Sequence, residues 1–122
     1  MVVVERYLDE VLGGGDPVAA DELVADETLL RRVRVFREAF PDVSVRTNLV
    51  VAAGDLVGVA TIGRGTHVGP FHGFAPTGRQ WSAPATALFR ISGGRIVDHW
   101  VTWDMLGILE QLGAVRRIDS RQ

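Results

Sequence analysis

The chain of 122 residues contains no cysteine and no lysine. Without cysteine there is no disulfide, no thiolate nucleophile and no cysteine-ligated zinc, and the composition fits a reducing compartment such as the cytoplasm. All thirteen basic residues are arginine. Arg31, Arg32, Arg34 and Arg37 cluster, but they alternate with apolar residues at helical spacing and read as one solvated helix face. A net charge of −2 gives no basic surface for nucleic acid and no charge excess that would favour disorder. Long apolar runs are missing as well. Val2, Val3 and Val4 give way at once to Glu5 and Arg6, too short a run for a signal peptide. Nothing approaches the roughly twenty apolar residues of a membrane span. A cytoplasmic protein without nucleic-acid or membrane partners is expected.

What is present is a single domain's worth of patterned sequence, since domains cluster near about 100 to 150 residues. Val3, Val4, Tyr7, Leu8, Val11 and Leu12 recur at three- and four-residue spacing, which predicts a helix ended by Gly13, Gly14 and Gly15. Asp16 before Pro17 has the chemistry of an N-cap and first helical residue, opening a second helix to about Val24. A third carries Leu29, Leu30, Val33, Phe36 and Phe40 and stops at Pro41. The pattern then switches to strands. Val43 to Ala53 and Leu56 to Val68 flank Gly54-Asp55, and Trp81 to Ser92 and Arg95 to Trp103 flank Gly93-Gly94, giving two antiparallel hairpins. A last helix from Leu106 to Leu112 ends at Gly113. Helices segregated ahead of an antiparallel sheet predict an α+β fold in which the sheet curls around them.

The second hairpin fixes a register. A two-residue Gly93-Gly94 loop pairs Ser92 with Arg95, and an unbroken ladder then sets Phe89 opposite Asp98, Ala87 opposite Trp100, Ala85 opposite Thr102 and Ala83 opposite Asp104. One face collects Trp81, the alanines, Phe89, Asp98, Trp100, Thr102 and Asp104, and mixes small, aromatic and acidic groups as a pocket wall does. The other collects Leu88, Val97, His99, Val101 and Trp103, an apolar face suited to packing against a second copy. A bulge between Arg95 and Trp103 would exchange the two faces.

On this register Asp104 has two roles that can coexist. It can cap the last helix by accepting from the N–H of Leu106 or Gly107, or work as an acid–base group in an apolar pocket. His67 is the histidine assigned to the pocket. His67 and His72 are five residues apart and His99 falls on the other face, so the three form no metal motif. The glycines between Gly63 and Gly78 are not followed by a helix, which argues against a phosphate loop. No G-x-S-x-G nucleophile motif occurs.

The run from Gly65 through Thr66, His67, Val68, Gly69, Pro70, Phe71, His72, Gly73 and Phe74 to Arg79 resembles the signature of SnoaL-like polyketide cyclases, a branch of the nuclear-transport-factor-2-like superfamily. Ala39-Phe40-Pro41-Asp42, Phe89-Arg90-Ile91, His99-Trp100, Trp103 to Gly107 and Gln111 to Ala114 extend the likeness. The resemblance implies a cone-shaped α+β barrel, a curved antiparallel sheet wrapped around N-terminal helices, spanning residues 1–122 with a flexible tail from about 115. It implies a homodimer and an intramolecular aldol-type ring closure needing no cofactor and no metal, in which Asp104 moves the proton. This chain departs from the cyclases twice. Phe89 stands where several carry a histidine, and the segment near 25–29 is shortened, with Asp26, Glu27 and Thr28 leading straight into the third helix.

Three functions follow as expectations. The first is an acid–base enzyme on a small apolar oxygenated molecule, with Asp104 and His67 as catalytic residues and Trp100, Thr102, Phe89, Asp98, Trp81 and Phe71 binding substrate. The second is a non-catalytic small-molecule-binding or dimerisation module, which Phe89 favours. The third is an epoxide hydrolase or dehydratase-like activity, for which Asp98 and Asp104 supply two carboxylates.

Overall fold

Local chemistry starts and stops the helices where the sequence places them. In the computed structural model, which describes residues 2–116, α1 (Val2–Arg6) runs into a π-helical stretch, Tyr7–Gly13, where one continuous α-helix was expected. Tyr7, Leu8, Val11 and Leu12 of this stretch are all buried. Asp16 caps α2 (Pro17–Leu23), its Oδ1 accepting from the N–H groups of Val18 and Ala19. Asp26 caps α3 (Glu27–Ala39) through the N–H of Leu29. Leu29, Val33, Phe36 and Ala39 face the core from α3.

Four strands follow, β1 (Ser44–Ala53), β2 (Leu56–Thr66), β3 (Gln80–Ser92) and β4 (Arg95–Trp103), in one antiparallel sheet of order β1-β2-β3-β4. Gly93 and Gly94 both have positive φ, 59° and 75°, as the tight Ser92-to-Arg95 turn requires. Helix α4 (Met105–Leu112) follows β4 directly and is pinned to β3 by Gln111, whose side-chain amide both accepts from the N–H and donates to the carbonyl of Ser82.

Two bulges bend the sheet. One leaves Asn48 of β1 unpaired between Thr47 and Leu49, and the other leaves Val97 of β4 unpaired between Ile96 and Asp98. The second overturns the unbroken register expected from the Gly93-Gly94 turn. Ser92 and Ile91 still pair with Arg95 and Ile96, but Arg90 pairs with Asp98, Phe89 with His99, Ala87 with Val101 and Ala85 with Trp103. The physical cause lies on the strand's other edge. The segment after α2 docks there, Ala25 donating to the carbonyl of Ile96 at 2.8 Å, while the Arg95 guanidinium donates to the carbonyls of Asp21 and Val24. Ile96 therefore stays buried, and one extra residue turns everything after it over.

Candidate active site

The turned-over register decides what lines the concave side of the sheet. Phe89, Ala87 and Ala85 of β3, Val101 and Trp103 of β4, and Val59 and Thr61 of β2 form one wall of a cavity of about 730 Å³. Tyr7, Leu8 and Leu12 from the π-helical stretch and Leu29, Val33 and Phe36 from α3 form the opposite wall. The floor is aromatic. Phe36 stacks on Trp103 at 4.9 Å and meets Phe40, Phe71 and Trp81 edge-on at 5.1 to 5.8 Å. Gly63 makes room for this arrangement, since a Cβ there would lie 2.5 Å from the Trp103 ring.

Polar groups on this apolar surface are few. The Thr61 hydroxyl is engaged, donating to the carbonyl of Ala85 at 3.1 Å. Tyr7 packs edge-on against Phe89 at 5.4 Å, and its hydroxyl has no hydrogen-bond partner among the described residues. Burial, reinforced by the negative charge of Asp26, pushes the Tyr7 phenol well above its ordinary range, so it remains a proton donor through neutral pH.

Behind that wall is a buried pair. His99, turned inward by the Val97 bulge, meets the Asp26 carboxylate at 2.6 Å, with side chains 6% and 10% exposed. Asp26 Oδ1 accepts from the Leu29 N–H, so Oδ2 is left to accept from His99 Nδ1. Burial alone would push the Asp26 carboxyl up, but the hydrogen bonds from His99 and Leu29 and the charge of His99 outweigh it and hold the group below its ordinary value. Asp98 lies close enough to share a cation with this pair. Its Oδ1, however, already accepts from the His99 N–H, so a metal would have to displace bonds already made.

The residues singled out from sequence are thereby divided. Phe89 and Phe71 line the cavity, and Trp81 is buried beneath it. Trp100, Thr102 and Asp98 are exposed on the convex face, against the register expected for them. Asp104 is not opposite Ala83 in the ladder. It is exposed at the rim between Trp103 and Met105, and its Oδ1 caps α4 by accepting from the Gly107 N–H at 3.1 Å. Asp98 and Asp104 thus offer the cavity no pair of carboxylates. His67 is fully buried but serves the Gly-rich loop, its Nδ1 accepting from the Thr77 N–H at 3.2 Å. Tyr7, Asp26 and His99 were not assigned to the site from sequence. The N-cap position of Asp26 was the one readable sign, because its partner depends on the bulge.

A family profile for SnoaL-like polyketide cyclases matches residues 2–112. The chain belongs to that family. Solved structures agree in fold with the SnoaL-like domain described above. TsrD from Streptomyces laurentii is 27% identical with a TM-score of 0.81, the match covering 93% of this chain and 94% of that one. IdmH from Streptomyces antibioticus, a candidate polyketide cyclase, is 27% identical with a TM-score of 0.79, covering 92% and 96%. AclR from Streptomyces galilaeus, a candidate hydroxylase, shares the fold at 22% identity and a TM-score of 0.74, covering 98% and 81%. No protein of curated function matches the chain. No helix among the described residues of this SnoaL-like protein is long and apolar enough to cross a membrane.

Proposed function

We propose that this SnoaL-like protein is an acid–base enzyme that closes a ring in a small, apolar, oxygenated molecule held in the cavity between α3, the π-helical stretch and the sheet. The observation that carries the reading is an apolar cavity of about 730 Å³ lined by Tyr7, whose phenol stays protonated and has no hydrogen-bond partner among the described residues. An aldol-type closure removes a proton from carbon beside a carbonyl and stabilises charge developing on oxygen. Tyr7 is the donor for that oxygen. The Asp26–His99 pair behind it is a positioning element that fixes the start of α3. Asp104, at the rim between two cavity-lining residues, is the group left to move the carbon-bound proton.

The test is turnover of an aromatic polyketide precursor by Tyr7→Phe and Asp104→Asn, each checked for an unchanged melting temperature. Losing one hydrogen-bond donor to a developing oxyanion should lower turnover about 100-fold or more. Parental turnover in both variants would end the catalytic reading.

A second reading, a non-catalytic binding module, is favoured by a specific observation: among the described residues no carboxylate lines the cavity. It predicts that the parent protein binds such precursors and returns them unchanged. On either reading the face proposed for a homodimer is now the exposed one of Leu49, Val51, Leu88 and Trp100, because Val101 and Trp103, expected there with His99, line the cavity and His99 packs on Asp26.

A further inference from the structure

Charge is distributed unevenly around the cavity. The chain carries fifteen acidic and thirteen basic residues. The cavity lining nevertheless includes Arg31, Arg32 and His72 and, among the described residues, not one aspartate or glutamate. The two arginines belong to a single stripe of α3, Thr28, Arg31, Arg32 and Val35, at spacings i, i+3, i+4 and i+7. That stripe adjoins the core-facing one of Leu29, Val33 and Phe36. Both arginines and Val35 are exposed, so the stripe forms the mouth while its neighbour forms the wall. The Arg31 guanidinium donates to the Thr28 hydroxyl at 3.3 Å, which steadies it along the same stripe. Among the described residues no carboxylate pairs with either arginine. His72 reaches the mouth from the other side on a tight turn in which Phe71 and Phe74 exchange both backbone hydrogen bonds and His72 and Gly73 both have positive φ.

An apolar cavity with unpaired guanidinium groups at its mouth is complementary to a molecule with an apolar body and an anionic end. We infer that the ligand of this site carries a carboxylate or phosphate group at the end that stays at the mouth, where Arg31 and Arg32 receive it. The inference rests on the cavity being the binding site, and it specifies which way round the ligand enters. Arginine suits the task because its planar fork matches both oxyanions.

The experiment uses three probes with one ring system, anthracene-2-carboxylate, anthracene-2-carboxamide and 2-anthryl phosphate, titrated by tryptophan fluorescence with Trp103 in the cavity wall as reporter. At low salt the carboxylate should bind about ten-fold more tightly than the amide, as two partly exposed charged contacts provide. High salt should shrink that preference. The double variant Arg31→Gln, Arg32→Gln should abolish it while leaving affinity for the amide, and the melting temperature, unchanged. A phosphate bound more tightly than the carboxylate assigns the mouth to a phosphate-bearing ligand, and the reverse order to a ligand with its own carboxylate. Equal affinities for carboxylate, phosphate and amide in the parent overturn the inference but leave the cavity as a binding site. A preference that survives the double variant overturns the role of the two arginines. Failure of all three probes to bind overturns the cavity reading as well.

Discussion

The two faces of β4 after Val97 differ in nearly every physical respect, although their residues alternate along the six positions from Asp98 to Trp103. His99, Val101 and Trp103 look inward, onto the Asp26 carboxylate, the cavity and the Phe36 ring. Asp98, Trp100 and Thr102 look outward and are exposed. Composition does not distinguish the two sets, since each holds one tryptophan, one β-branched residue and one ionisable residue. The difference comes from a single unpaired residue placed by tertiary contacts, and its consequences can be measured one face at a time.

The largest effect is expected where the inner face meets α3. Asp26→Ala removes the partner of a buried histidine and the cap of α3 together, and breaking a buried pair costs roughly 3 to 5 kcal/mol. Denaturant unfolding measures it directly. The pair also has a pH signature. Because the folded Asp26 carboxyl is held below its ordinary value, its contribution is fully present above the unfolded-state range, near about pH 4, and is lost as pH falls through the folded value. Asp26→Asn should therefore flatten the loss of stability below about pH 4 relative to the parent. Parallel profiles would show that the pair contributes no acid sensitivity.

Trp103→Ala comes next, at about 3 kcal/mol, because it strips the stacked partner from Phe36 and opens space over Gly63. Its value sharpens the comparison when set beside Trp100, an identical side chain three residues away on the opposite face. Asp104→Ala should cost about 1 kcal/mol, the ordinary value of a lost N-cap, since the carboxylate serves the Gly107 N–H. A much larger loss would mean that Asp104 supports more of the fold than the start of α4.

How much of this was readable beforehand follows from how local each determinant is. Asp16-Pro17, Pro41 and the Gly93-Gly94 turn act through their own backbone, so the helix starts, the strand limits and the hairpin were within reach of the sequence. The Phe36, Phe40 and Leu29 stripe likewise declared the inner face of α3. The site was less legible because the bulge depends on Ala25 and Arg95 finding partners 70 or more residues apart. No periodicity within β4 records that docking, and although the helical stripe already set Tyr7 on the inner face, its three- and four-residue spacing does not distinguish a π-helical turn from an α-helical one.

The smallest effect is expected at Trp100. It is 48% exposed, and the Arg90 guanidinium lies 5.9 Å from its ring centroid. An exposed cation–π contact contributes about 0.5 to 1 kcal/mol, and removing a half-exposed apolar ring returns part of that by lowering the exposed apolar area. Trp100→Ser should therefore change the unfolding free energy of a dilute, monomeric sample by no more than about 0.5 kcal/mol. If the convex face packs against a second copy, the same substitution acts elsewhere. The sedimentation coefficient should fall to that of a monomer at concentrations where the parent remains a dimer, and the parent's melting temperature alone should rise with concentration. Trp103→Ala should leave the assembly constant untouched while lowering stability at every concentration, so the two tryptophans separate what the inner face does for folding from what the outer face does for association.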